Sequence, residues 1–160
     1  MLYIYNRTTK AIIYAGYARD LRHVDFRRAD LSSLQMDGFK LDECDLRDAY
    51  FLKTDLRYSS LRFANLQGAD LRGVHLRNSD LTGANLAGCD LKGVNLSRCT
   101  LDLANLAGAD LQGATLAKCT VISANFTGAN LRSVKYVDRG RHGDHAARTK
   151  LFDSNCTLCI

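Results

Sequence analysis

Every fifth residue of this chain is apolar, in a register that never slips from Leu21 to Tyr136. Counting in fives through Phe26, Leu31 and Met36 to Leu131 and Tyr136 gives 24 consecutive apolar positions, 18 of them leucine. Two residues before each lies a second column, mostly small, with ten Ala, four Cys and four Val among the 24. Polar residues fill the places between. An α-helix turns every 3.6 residues, so a period of five would carry the apolar positions around its whole circumference. The pattern reads instead as in-out-in-out, a short extended segment, followed by one residue that turns the chain. At that fifth position stand Gly38, Gly68, Gly73, Gly83, Gly88, Gly93, Gly108, Gly113 and Gly128, whose backbone freedom suits a corner. Each pentad is then one side of a polygon.

A second period sets the number of sides. Ala64-Asn-Leu-Gln-Gly aligns with Ala84-Asn-Leu-Ala-Gly, Ala104-Asn-Leu-Ala-Gly and Ala124-Asn-Phe-Thr-Gly, each 20 residues on. Residues stacked in successive coils share an environment, so four sides of five residues predict this lag. Three sides predict a lag of 15, which sets Asn85 on Thr100 and Gly88 on Leu103. The pattern Ala-Asp/Asn-Leu-x-x over residues 19–138 resembles the pentapeptide-repeat family. The resemblance implies an all-β fold, a right-handed quadrilateral β-helix of about six coils, with the Leu and the small residue inside and no room for a buried ligand. Leu34 and Phe39 depart from the small column, and corner glycines are rare before residue 68. Irregular corners and a wider bore are therefore expected in the N-terminal half.

The ends of such a rod need covers. Leu2–Tyr5 and Ala11–Ala15 flank the polar stretch Asn6–Lys10 and read as a β-hairpin capping the N-terminal end. After Arg139–Gly143 breaks the repeat, Asp144 is placed to cap a short helix from His145 to about Phe152. Leu151, Phe152, Leu158 and Ile160 either cover the last coil or form a homodimer contact, as in relatives that dimerise through their C-terminal ends. The domain reading is 1–18 N-terminal cap, 19–138 β-helix, and 139–160 C-terminal cap or dimerisation tail. Leu103 and Ile122 fall outward one coil apart, where polar residues are the rule, so a cover for them is expected.

The chain carries 22 Lys+Arg against 17 Asp+Glu, a net +5. The excess lies in residues 1–20 and 139–160, each with net +2, while residues 21–63 balance and 64–138 carry +1. A nucleic-acid binder concentrates basic charge, so nucleic acid is not an expected partner. There is no apolar run long enough for a membrane span, and no basic segment followed by an apolar core opens the chain. Six cysteines without such a leader read as reduced thiols of the cytoplasm.

Catalytic chemistry finds no constellation. His23 and His75 fall outward on separate sides without a nucleophile beside them. No phosphate-binding glycine loop occurs, and no enzyme activity is expected. Asp70, Asp90 and Asp110 recur at lag 20, but Arg72 and Lys92 follow two residues on and read as their counter-charges. Asn65, Asn85, Asn105 and Asn125 read as a structural amide ladder. Cys44, Cys89, Cys99 and Cys119 read as small core residues. His142, His145, Cys156 and Cys159 offer a zinc-type donor set with a short His spacing, set against a plain polar tail. No cofactor or metal is assigned.

What remains is a non-enzymatic protein-interaction or scaffold module. Its candidate partner surface is Tyr50, Leu52, Arg57, Tyr58, Arg62, Phe63 and Arg77, outward or corner residues that join aromatics to arginine. The alternative, implied by the resemblance, is a DNA-mimic protector that binds a topoisomerase, DNA gyrase. Mimicry of DNA requires an acidic surface, and the basic net charge speaks against it.

Overall fold

The computed structural model describes residues 1–136, so the expected helix, the zinc-type set and the C-terminal cap lie outside the described residues. Within them, each pentad from residue 21 is a turn followed by one bridged residue. The N–H of the small residue donates to the carbonyl of the Leu three before it, as in Ala84 to Leu81 at 3.0 Å and Cys89 to Leu86 at 3.1 Å. The third residue of each turn has a positive φ, the pattern of a type II turn. From His23 to Ser133 every fifth residue adopts it, with φ between 56° and 71°. Nine of these corners are the expected glycines, but fourteen are not, and Tyr58, Phe63 and Leu103 are among them. The corners before residue 68 match the later ones, so the expectation of irregular corners is corrected. Non-glycine residues meet the same backbone demand, at about 1–2 kcal/mol each.

Successive coils pair in parallel at a constant offset. Bridges run from Asp20↔Lys40 to Thr115↔Lys135, and each joins residues 20 apart. Four pentads therefore close one coil. We number the sides by their bridged residues: side one holds 60, 80 and 100, side two 65, 85 and 105, side three 70, 90 and 110, and side four 75, 95 and 115. The backbone N–H and carbonyl of each bridged residue both bond to the coil before it, while its two flanking residues bond to the coil after it. Asn85 N–H donates to Ala64 at 2.9 Å, and its carbonyl accepts from Leu66 N–H at 2.8 Å.

Both inner columns are filled. The central residues from Phe26 to Leu116 are 0–1% exposed. In the small column, polar residues other than Ser59, which bonds to Leu56 O of its own turn, find carbonyls across the coil boundary. Cys44, Cys89, Cys99 and Cys119 donate their S–H to Leu21, Leu66, Leu76 and Leu96 at 2.7–3.0 Å. Thr54 and Ser79 donate to Leu31 and Leu56 in the same way, each at 2.7 Å. Burial pushes these thiols up, Cys44 and Cys119 to about 11 and Cys89 and Cys99 to about 12. They are therefore neutral donors at neutral pH, more than the small apolar fillers the sequence suggests.

The N-terminal hairpin is present as expected. β1 (Leu2–Asn6) and β2 (Ile12–Gly16) pair antiparallel. Asn6 Oδ1 accepts the N–H groups of Thr8 and Thr9, each at 2.9 Å, which fixes the turn. β1 also pairs with β3 (Ala29–Asp30) of the first coil, and Ile4 is fully buried in the core cluster. An edge that would otherwise stand open is thereby paired.

The interior admits no charge. Leu86→Asp places a carboxylate among fully buried leucines, at a cost of several kcal/mol. In thermal denaturation the variant should melt far below the parent or fail to fold. An unchanged midpoint would mean that the inner column is misassigned.

Candidate functional site

The seven candidate partner residues fall on three successive sides. Tyr50 and Leu52 lie on side three, Arg57, Tyr58 and Arg77 on side four, and Arg62 and Phe63 on side one. Tyr50 is half-buried, with the Arg7 guanidinium of the hairpin turn 3.7 Å from its ring centroid. Arg57 is committed to Asp55, its Nη2 2.5 Å from Oδ2. Asp55 is itself buried, and the guanidinium holds its carboxyl below the usual carboxylate range. Arg62 reaches towards Asp80 at 3.9 Å, and its N–H donates to Asp42 Oδ1 at 3.0 Å. Tyr58 and Phe63, 68% and 54% exposed, sit on consecutive corners with φ of 61° and 56°. Tyr58 N–H donates to Arg77 O at 3.2 Å, so those two are neighbours. The structure thus sets Tyr58 beside Arg77, places Phe63 on the next corner and turns Tyr50 and Arg57 to other work.

Phe63 rests on a bare backbone. Its ring lies over Gly83, and a Cβ added at Gly83 would overlap ring carbons. Gly88, at nearly the same φ, has open space in that direction. Further along side one, Leu103 and Ile122 are 59% and 62% exposed. Their expected cover by the tail lies outside the described residues.

The columns named from the sequence behave as ladders. Asn85, Asn105 and Asn125 each donate their amide to the Asn one coil earlier at 3.1 Å. Arg72 pairs with Asp70 at 2.7 Å, while Lys92 stands 3.1 Å from Asp110 and 3.7 Å from Asp90. The sequence reading passed over a wider form of the same motif, Asp-x-Arg across one inner residue. Arg22, Arg27 and Arg47 pair with Asp20, Asp25 and Asp45 at 2.6–2.8 Å. The Arg27–Asp25 pair and Arg47 also line the groove of about 600 Å³ between the hairpin and side two, together with Arg28 and Asp48.

It also passed over a sorting of charge by side. Between residues 64 and 136, side three balances Arg72, Lys92 and Arg132 against Asp70, Asp90 and Asp110. Side two holds no charge, side one holds Asp80 and Asp102, and side four holds Arg77, Arg98, Lys118 and Lys135. Counting residues modulo 20 would have revealed this.

The geometry and the sequence comparisons agree. The sequence pattern of the pentapeptide repeats matches in eight copies, over residues 19–48, 35–73, 59–98 and 104–135. The chain belongs to the pentapeptide-repeat family. It is similar to a pentapeptide repeat protein from the thylakoid lumen of Arabidopsis thaliana, with 32% identity over 78% of this chain and 75% of that one, at a TM-score of 0.52. A pentapeptide repeat protein from the cyanobacterium Cyanothece 51142 matches at 22% identity over 74% of this chain and 92% of that one, TM-score 0.49. QnrB1, a plasmid-mediated fluoroquinolone resistance protein, matches at 18% identity over 92% and 74%, TM-score 0.43. No curated protein sequence matches. The chain shares the right-handed β-helix of this family. Among the described residues no helix is long and apolar enough to cross a membrane.

Two predictions follow from this surface. Gly88→Ala should cost about 1 kcal/mol, the strain of a side chain at positive φ. Gly83→Ala should cost more, and Phe63→Ala in the same chain should bring it back to the Gly88→Ala level in denaturant titrations. Equal costs for the two single variants would remove Phe63 from Gly83.

The second concerns acid. Arg partners depress the carboxyls of Asp25, Asp45, Asp55 and Asp70. Their stabilisation is complete above the unfolded value near pH 4 and is lost as pH falls through the folded values. The melting temperature should hold between pH 8 and 5 and drop below about pH 4. A midpoint unchanged to pH 2 would show that these pairs add nothing.

Proposed function

We propose that this protein is a non-enzymatic rod whose outer sides engage another protein in the cytoplasm. The observation that carries this is a filled interior: both inner columns are packed, and no buried side-chain N or O among the described residues lacks a hydrogen-bond partner. Chemistry offered to a ligand is therefore on the outside. In this reading the rod has six coils over 19–138, residues 1–18 cap it, and 139–160 cap it or join two copies. The thiols of Cys44, Cys89, Cys99 and Cys119 act as S–H donors, which suits a reducing compartment.

Tyr58 and Phe63 are the contact residues, with Leu52 and Arg77 beside them. A DNA-mimic role towards a topoisomerase fits the surface poorly, since among the described residues from 64 to 136 side four carries four cations and no carboxylate. QnrB1 is a likeness of fold alone.

The test is affinity capture from native lysate with the full chain as bait. Arg57 should be left intact, because its loss strands the buried Asp55 carboxylate. Tyr58→Ala combined with Phe63→Ala should keep the melting temperature within a few degrees and weaken the captured partner at least tenfold, since hot-spot truncations cost about 1–2 kcal/mol or more each. Undiminished capture, with loss on changes to side two instead, would move the interface there.

A further inference from the structure

Side four differs from its neighbours in carrying cations without counter-charges. Arg77, Arg98 and Lys118 occupy three successive coils along its edge with side one, and Lys135 stands across its face one coil further on. All four are exposed. Among the described residues none has a carboxylate within 4.0 Å, whereas Arg57 at the start of the same side is taken by Asp55. Between them lie Asn78, Asn95, Ser97 and Thr115, neutral groups that donate and accept hydrogen bonds.

We propose that side four docks an acidic segment of a partner protein, one that presents carboxylates about a helical turn apart along one face. The spacing supports a helix. Stacked coils are about 4.8 Å apart, and a helical turn rises about 5.4 Å. Over the two steps from Arg77 to Lys118 the rows diverge by about 1 Å, which flexible Lys and Arg stems absorb. Lys135 then takes a carboxylate beside the row.

Nucleic acid fits less well. Duplex binders with strong affinity neutralise about 6–10 phosphates, and single-strand binders interleave aromatics on which bases stack. Side four offers four free cations among the described residues, and its outward rings are only those of Tyr58 and His75. Asp80 and Asp102 on the adjoining side repel a polyanion wider than one row. Asp80 accepts from Thr82, and Asp102 accepts the Ile122 N–H at 2.8 Å, so both side chains are held in place.

This inference rests on the rod being a protein-interaction module, and its test is separable from that one. The probe is a synthetic helical peptide with Glu at i, i+4 and i+7 on one face. It is compared with an isomer of the same composition whose Glu residues are spread around the helix, and with a single-stranded DNA oligonucleotide of equal charge. The full chain should bind the one-face peptide at least tenfold more tightly than the isomer or the oligonucleotide, and added salt should weaken it. Arg98→Glu with Lys118→Glu should abolish that preference. Lys53→Glu with Arg132→Glu, an equal charge change on side three, should alter it less than threefold. If the corner variant melts early, Arg77→Glu with Lys135→Glu serves the same purpose away from the corners. Equal binding of peptide and isomer, undiminished binding by the side-four variants, or tighter binding of the oligonucleotide would each overturn the proposal. The rod reading would survive any of these, because it stands on capture and its loss at Tyr58 and Phe63.

Discussion

A backbone turned to φ near +60° at every fifth residue is what the other features hang from. The turn leaves room for one bridged residue per side, so a side cannot extend into an ordinary strand. It also closes the coil after four sides and sets each pentad directly over the one 20 residues earlier. Non-glycine side chains pay about 1–2 kcal/mol at such corners. The cost is offset by hydrogen bonds within the turn and to the next coil, as where Leu103 N–H donates to Ile122 O at 2.8 Å. A coil on its own would make few of these bonds. The repeats therefore stabilise one another as neighbours, not one by one.

The same geometry closes the interior. With the central and small columns both pointing inward, the space is divided among leucine stems and short side chains, and polar members of the small column survive only because a carbonyl faces them, that of the adjacent coil in most cases and, for Ser59, that of its own turn. Ser79 and Thr54 show the rule with hydroxyls, and Cys89 and Cys99 with thiols. Satisfied in this way, a buried donor avoids the desolvation penalty of an unpaired one. Nothing is left over inside for recognition.

How much of this was legible in the sequence follows from which periods it displays. The lags of five and 20 are written in leucine, asparagine and glycine, and they gave the inner columns, the four sides and the amide ladder directly. The hairpin was legible because its two apolar runs flank a polar turn. The corners at Tyr58, Phe63 and Leu103 were not, since no composition rule marks a bulky residue for positive φ; the demand comes from the coils above and below. The intended contact at Arg57 misled for a related reason. The pairing of Arg57 with Asp55 is an i, i+2 relation across one inner residue, visible only once the segment is taken as extended. Charge was misjudged because it was summed along the chain. Seven basic and five acidic residues between 64 and 136 look mixed in sequence and separate in space.

That separation has a structural consequence for what the rod can encode. The interior recognises only position within the pentad, so it is indifferent to which side a given pentad occupies. The surface depends on residue number modulo 20. Adding or removing one pentad after Arg77 would preserve both inner columns yet move every later outward residue by one side, carrying Arg98, Lys118 and Lys135 off the side they share with Arg77. An insertion whose length is not a multiple of five would instead break the columns. The unbroken register from Leu21 to Tyr136 therefore preserves more than stability. It keeps an uncharged side two, a neutralised side three and a cationic side four aligned over residues 64–136, which the packing of leucine alone does not require.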